Sequence, residues 1–238
     1  MSSGLKYKRI LLKLSGEALS GDEKHGIVPD ILNGISSEIK EILDLGAEIA
    51  VVIGAGNFFR GSFGEKMGID RAAGDYMGML ATVMNSIALK NSLEKIGVKA
   101  RVLSAIEMKK VAEPYIIDKA RNYLSKGNVV IAAAGTGHPF FTTDTAASLR
   151  AVELQADLLV KATRVDGVYS SDPEKDPSAQ RYDMVSYKDI LSKNLRIMDL
   201  TAISLCMEHS LPILVFNLFN RGSLKRIVLG EKVGTFIN

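Results

Sequence analysis

Four short segments of this sequence combine glycines with hydroxyl and charged side chains, the composition of an anion-binding loop. The first reads Lys13-Leu14-Ser15-Gly16-Glu17, and the second Gly54-Ala55-Gly56-Asn57-Phe58-Phe59-Arg60-Gly61. The third is Gly135-Thr136-Gly137-His138-Pro139-Phe140-Phe141-Thr142-Thr143-Asp144, and the fourth runs from Thr163 to Tyr169 with Asp172-Pro173 close behind. Glycine lets backbone N–H groups approach an anion closely, and hydroxyls add donors. A helix that follows such a loop adds a dipole favourable to phosphate. Any one of them reads as well as a tight strand–helix turn. Four together, with a lysine and an arginine among them, point to phosphate chemistry.

Three charged residues stand out within these loops. Lys13 ends an apolar run between Leu12 and Leu14, where an ammonium must turn outward or meet an anion, because an unpaired buried charge is costly. Arg60 carries a planar fork suited to bidentate phosphate contact, or to a surface ion pair. Asp144 follows two threonines at a helix start, where it serves as a cap, as part of a site, or as both. Two familiar phosphate motifs are missing. There is no G-x-x-x-x-G-K-[ST], and Gly54-Ala55-Gly56 meets Phe59 where a dinucleotide fingerprint needs its third glycine.

The elements that must position these loops alternate. Apolar runs at Arg9–Leu14, Ala47–Ile53, Val98–Leu103, Val129–Ala133, Asp157–Ala162, Pro212–Phe216 and Val233–Ile237 read as strands. Helical spacing covers Pro29–Leu45, Asp75–Ile96, Pro114–Lys126, Asp144–Gln155, Asp199–His209 and Leu224–Leu229, while Val165–Gln180 has turn chemistry throughout. Continuous apolar strands separated by helices predict an α/β fold with a mostly parallel sheet covered on both faces. In such sheets ligands gather outside the carboxyl ends of the strands. The four loops all follow strands, after Leu14, Ile53, Ala133 and Ala162.

Composition narrows the function classes. The 238 residues are 47% hydrophobic and 24% charged, which is ordinary for a globular enzyme, with no linker or repeat visible. Thirty basic against 27 acidic residues leave a net charge of +3, too small and too scattered for a nucleic-acid surface. The single cysteine, Cys206, excludes a disulfide framework, and His25, His138 and His209 lack ligand spacing. No apolar run reaches the roughly 18 residues of a membrane span, and the first eight residues lack the apolar core of a signal peptide. The expected setting is the cytoplasm, with no membrane and no nucleic-acid partner.

The stretch Lys13-Leu14-Ser15-Gly16-Glu17-Ala18-Leu19 resembles the opening of bacterial uridylate kinases, a branch of the amino-acid kinase family. So do Gly74-Asp75-Tyr76-Met77-Gly78-Met79-Leu80-Ala81-Thr82, the third loop, and the segment 161–169. The resemblance runs from about Lys8 to Thr235. It implies one continuous amino-acid kinase domain over 1–238, a three-layer αβα sandwich with its N-terminal part holding the phosphate acceptor and its C-terminal part ATP. It implies that Lys13, Leu14, Ser15, Gly16, Gly56 and Arg60 meet the ATP phosphates, with Thr163, Tyr169 and Asp172 on the adenine-nucleotide side. UMP would meet Ala55 and Asp75, wrapped by Thr136, Gly137, His138, Pro139, Phe140, Phe141, Thr142 and Thr143. Lys13, Arg60 and Asp144 would be the catalytic set. Two positions depart from the family pattern: Ala55 replaces the middle of three glycines, and His138 stands where asparagine is usual.

The activity so implied is transfer of the ATP γ-phosphoryl group to UMP, giving UDP and ADP. The acceptor is already ionised, so no strong base is needed, and the chemical problem is repulsion between two anions. Mg²⁺ would arrive with ATP, since no dense carboxylate cage is visible. Asp144 would orient Lys13 or its loop. The family resemblance also implies a homohexamer built as a trimer of dimers, activated by GTP and inhibited by UTP. The helix at Asp75–Ile96, apolar on several sides through Met77, Met79, Leu80, Val83, Met84, Ile87 and Leu89, fits a core or a subunit contact. The segment Gly21–Gly26, in the position of the GTP-linked segment, offers no phosphate cradle in Asp22, Glu23 and Lys24. Competing readings are a kinase acting on a carboxylate or carbamate, and a non-catalytic nucleotide- or oxyanion-binding or storage protein on the same scaffold.

Overall fold

The computed structural model describes residues 4–23, 25–59, 68–173, 175–176, 178–193, 195 and 197–238. Arg60 and Gly61 of the second loop, and Lys24, lie outside the described residues. Among the described residues one nine-stranded sheet has the order β4-β3-β5-β2-β1-β6-β10-β11-β9. Its central strands are β1 (Arg9–Leu14), β2 (Glu48–Ile53), β5 (Val129–Ala133) and β6 (Leu158–Thr163). Around them stand β3 (Ala100–Ser104), β4 (Glu113–Pro114), β9 (Met184–Val185), β10 (Ile213–Asn217) and β11 (Thr235–Ile237). Every pairing is parallel except β10 with β11. A separate two-stranded antiparallel ribbon joins β7 (Val168–Tyr169) to β8 (Arg181–Tyr182).

Alternate residues of each buried strand serve opposite faces. On one face Ile10, Leu12, Val51, Ile131 and Val160 pack under α2 (Pro29–Asp44), α3 (Arg71–Lys95) and α8 (Ser223–Val228). On the other, Leu11, Val52, Val130 and Leu159 pack under α4 (Ile117–Ser125), α5 (Thr143–Glu153), α6 (Tyr187–Ser192) and α7 (Leu200–Glu208). A short α1 (Gly16–Ser20) follows β1 directly. This is the three-layer α/β sandwich with a mostly parallel sheet that the apolar strand runs predict.

The four glycine-rich loops therefore leave four adjacent strands, in the spatial order β5, β2, β1, β6. Strand β1 lies at the centre, with the chain winding outward through β2 on one side and β6 on the other. That is the place where a crevice forms at the carboxyl edge of such a sheet.

Some element bounds differ from the sequence reading. Helix α3 starts at Arg71 rather than Asp75, because the Asp70 carboxylate caps it, accepting from the N–H groups of Ala72 and Ala73 at 3.0 Å each. Pro114 does not open a helix. It lies in the edge strand β4 opposite Ser104, where proline's missing N–H does no harm, and α4 begins at Ile117. Strands of two residues, such as those of the β7–β8 ribbon, are too short for a periodic signal and were hidden in the turn-rich stretch after Thr163. The apolar residues of α3 divide: Met79, Val83 and Leu89 are buried, whereas Met77, Leu80, Met84 and Ile87 are exposed.

Candidate active site

Lys13 on β1 and Lys161 on β6 are register partners. In neighbouring parallel strands that places both side chains on the same sheet face, here the face covered by α5. Asp144, in the first turn of α5, lies between them. Its Oδ1 is 2.7 Å from Lys13 Nζ and its Oδ2 accepts a hydrogen bond from Lys161 Nζ at 2.9 Å. All three side chains are largely withdrawn from solvent. Lys161 also donates to the carbonyl of Ile197. The capping task falls to Thr142, whose Oγ1 accepts from Asp144 N (3.1 Å) and Thr145 N (3.2 Å), so the Asp144 carboxylate is free to turn inward.

The electrostatics follow from this packing. Burial alone would raise the Asp144 carboxyl, but the ammonium groups of Lys13 and Lys161 prevail and hold it below the ordinary aspartate value. Lys161 is pushed down by its own burial and by the Lys13 charge, against the pull of Asp144. Two cations share the Asp144 carboxylate, and the Asp199 carboxylate adds a further pull on Lys161.

A cavity opens on each side of the cluster. One, of about 530 Å³, is lined by Lys161, Thr163, Gly167, Tyr169, Asp172, Lys193, Leu195 and Val215 among others. The other, of about 490 Å³, is lined by Ala55, Gly56, Arg71, Asp75, Met79, Thr136, His138, Phe141, Thr142 and Thr143 among others. Lys161 belongs to the first, and the neighbours of Asp144 to the second.

The first two loops are pressed together. A Cβ on Gly16 would lie 2.6 Å from Asn57 Oδ1 and from Gly56 N, and 2.7 Å from the Gly54 carbonyl. Glycine is needed there for close approach. Ala55 does not adopt a positive φ, so its methyl group causes no backbone strain. Ser15 caps α1, its Oγ accepting from Ala18 N at 3.1 Å, and Leu14 is fully buried beneath.

The third loop is tightly shaped. Ala134, Gly135, Gly137 and Phe140 all have positive φ. Thr136 Oγ1 accepts from His138 N (3.2 Å) and donates to the His138 carbonyl (3.1 Å). Pro139 follows, and then the Asp75 carboxylate accepts the Phe140 N–H at 2.8 Å while paired with Arg71 at 3.0 Å. The tips, Phe140 and Phe141, are largely exposed. On the opposite side Thr163 Oγ1 donates to the Val165 carbonyl at 2.6 Å, the Tyr169 hydroxyl donates to Asp166, and Asp172 pairs with Lys175 at 3.3 Å.

Sequence reasoning missed Lys161, Asp199 and Arg71. Lys161 carried the same signal as Lys13, a lysine inside an apolar strand run. Asp199 reads as a helix start and does cap α7 through Ala202 N at 3.0 Å. It also accepts from the hydroxyls of Thr142 and Thr145, tying α7 to the start of α5, and no local pattern announces that. Arg71 stands one helical turn before Asp75, a spacing that ion pairs favour.

Both Asp144 oxygens face ammonium groups, so this carboxylate is not offered to a metal ion. Among the described residues no group of three or more His, Cys, Asp or Glu could hold one. Nor, among them, is any helix long and apolar enough to cross a membrane.

Solved structures with this architecture resemble the chain in sequence as well. A UMP kinase from Bacillus anthracis is 42% identical, with 98% of this chain and 96% of that chain covered and a TM-score of 0.95. A UMP kinase from Ureaplasma parvum is 34% identical over 98% of this chain and 100% of that chain, at a TM-score of 0.91. A uridylate kinase from Archaeoglobus fulgidus is 27% identical over 96% and 99%, at 0.73. Residues 8–217 match the amino acid kinase family, and the chain belongs to that family.

Proposed function

We propose that this protein is a UMP kinase that moves the γ-phosphoryl group of ATP to UMP, giving UDP and ADP. The observation that carries the reading is the Lys13–Asp144–Lys161 cluster between two nucleotide-sized cavities. In this reading ATP takes the cavity of Thr163, Tyr169 and Asp172, and UMP takes that of Asp75 and the third loop. The whole chain then works as one unit, its N-terminal part serving the acceptor and its C-terminal part the donor.

The chemistry asked of the protein is positioning and charge stabilisation. Lys13 and Lys161 lie where the γ-phosphoryl group must pass and oppose the charge on its oxygens. Asp144 takes no proton: it is held ionised and fixes both ammonium groups. The N–H groups of the crowded first and second loops offer further donors, with Arg60 as another cation of that loop. Mg²⁺ enters as the companion of ATP and offsets charge on its phosphates.

The same reading includes a homohexamer, with the outer face of α3 as a subunit contact, rate control by GTP and UTP, and work in the cytoplasm. A coupled ADP-release assay with UMP, CMP, dUMP and TMP as acceptors tests the activity. ADP release that depends on UMP supports it, and nucleotide binding without turnover would make the chain a binding protein on a kinase scaffold.

A further inference from the structure

Asn57 and Asn85 are fully buried polar residues with no part in the chemistry above. They form a reciprocal amide pair. Asn57 Nδ2 donates to Asn85 Oδ1 at 2.9 Å, and Asn85 Nδ2 donates to Asn57 Oδ1 at 2.8 Å. Each uses its other N–H on a backbone carbonyl: Asn57 on Gly26 at 2.8 Å, Asn85 on Gly54 at 2.8 Å. The two carbonyls fix which way each amide points, because turning either would set oxygen against oxygen. Gly26 N–H returns to the Asn57 carbonyl at 3.0 Å, closing the network.

Asn85 lies in the middle of α3, a 25-residue helix anchored in the core through the fully buried Leu89 and Leu93. Gly54 and Asn57 bound the first turn of the second glycine-rich loop, and that turn touches Gly16 with no room for a methyl group. A loop rich in glycine has much backbone freedom to lose. The amide pair supplies the restraint, from a rigid element, at both ends of the segment Gly54 to Asn57.

We infer that the Asn57–Asn85 pair is a positioning device that fixes the backbone of the second loop against the Lys13 end of β1 for phosphoryl transfer. The inference rests on the kinase reading. A displacement of about 1 Å at such a site costs on the order of a hundredfold in rate, so releasing the loop should lower kcat more than it weakens binding.

The test compares Asn85→Asp and Asn85→Leu with Ser92→Ala. The last removes a buried hydroxyl on the same helix, bonded to Ser36 at 2.9 Å and remote from the loop. Steady-state kcat, KM for ATP and for UMP, and thermal unfolding are measured for each. Either Asn85 variant, whichever folds, should lower kcat by at least about tenfold with both KM values within about threefold. Ser92→Ala should lose stability, because it leaves a buried partner unpaired, with kcat within about twofold of the parent. A folded Asn85 variant with near-parent kcat, or losses confined to KM, would overturn the proposal. Amide exchange over Gly54 to Asn57 gives a readout without turnover. Asn85→Asp must accelerate it and Ser92→Ala must not, whereas a parent lacking UMP-dependent turnover would remove the kinase reading instead.

Discussion

Lys13 and Lys161 occupy the same register position on neighbouring parallel strands, and both reach one carboxylate. Holding two ammonium groups near each other in a buried place is unfavourable by itself. Asp144 bridges the two ammonium groups, and Asp199 adds a second negative charge that acts on Lys161. An anionic phosphoryl group is a fitting occupant, since two ammonium groups held on one carboxylate keep donor N–H groups for a further anion.

Lys13→Ala should lower kcat by roughly 10²- to 10³-fold, the effect of losing one well-placed donor to developing charge. Folding should be little affected, because Asp144 keeps Lys161 as a partner. Turnover and thermal unfolding are measured side by side. A folded variant with kcat near that of the parent would make Lys13 a structural lysine only.

Lys161 gives a pH dependence. Its folded-state pKa lies below the ordinary lysine value of 10.5, so the alkaline fall of kcat/KM, which reports the free enzyme, should begin below that value. The buried charge costs stability while the lysine is protonated in the folded chain, and this cost is relieved as pH rises from the lowered pKa toward 10.5. Burial is the larger cause of the lowering and the Lys13 charge the second; replacing Lys13 by methionine removes the second, so the alkaline limb of the residual activity should move upward. A pH profile identical in the parent and in Lys13→Met would refute the coupling.

Asp144→Asn leaves two ammonium groups facing a neutral amide. Removing one partner of a buried ion cluster costs about 3–5 kcal/mol, so a lower Tm is expected together with a large fall in kcat. In the parent, the lowered Asp144 pKa contributes stability that is present above its ordinary value of 3.8 and lost as pH falls through the folded-state value. The variant should lack that part of the acid dependence. Added ATP should raise the variant's Tm by more than the parent's, because phosphate replaces the missing charge. Equal ATP shifts in both proteins would count against the shared-carboxylate arrangement.

Much of this was legible in the sequence. Continuous apolar runs gave the parallel sheet, because strands buried on both faces leave no polar alternation to read. The four loops could be singled out because strands that run parallel present their carboxyl ends at one edge whatever their order. What stayed hidden depends on pairing across the chain. Nothing near residue 161 says that β6 lies beside β1, so the partnership of Lys161 with Lys13 appears only in three dimensions. The same holds for Asp199, whose role at Thr142 spans 57 residues, and for Asn85, whose partners are 28 and 31 residues away.

UMP should be preferred over CMP by at least about a hundredfold in kcat/KM. The third loop is fixed at several points: Thr136 bonds His138, Asp75 holds Phe140, and Thr142 caps α5. A rigid loop cannot rearrange when the base edge exchanges an acceptor for a donor, and the unmatched groups are then left buried and unpaired. Competition between the two nucleotides in one assay measures the ratio directly. Equal values would assign base choice to something other than this loop.

The outer side of α3 concerns assembly. Tyr76, Met77, Leu80, Met84 and Ile87 fall at helical spacing along one stripe, each between 41% and 53% exposed. An apolar stripe of this kind on an otherwise charged surface marks a contact. Full burial of such a side chain from full exposure contributes about 1.5–3 kcal/mol; these are already about half buried, so a two-fold contact covering the stripe of both copies would add roughly 7–15 kcal/mol, comparable with the roughly 4–15 kcal/mol cost of association. The protein should therefore scatter light as an oligomer at micromolar concentration, whereas a stable species of 25.8 kDa would refute the contact. Leu80→Glu with Met84→Glu should dissociate it while leaving the helix folded, because neither residue is in the core and glutamate is a good helix former. If the doubly substituted chain keeps the mass of the parent assembly, the subunits meet through another face.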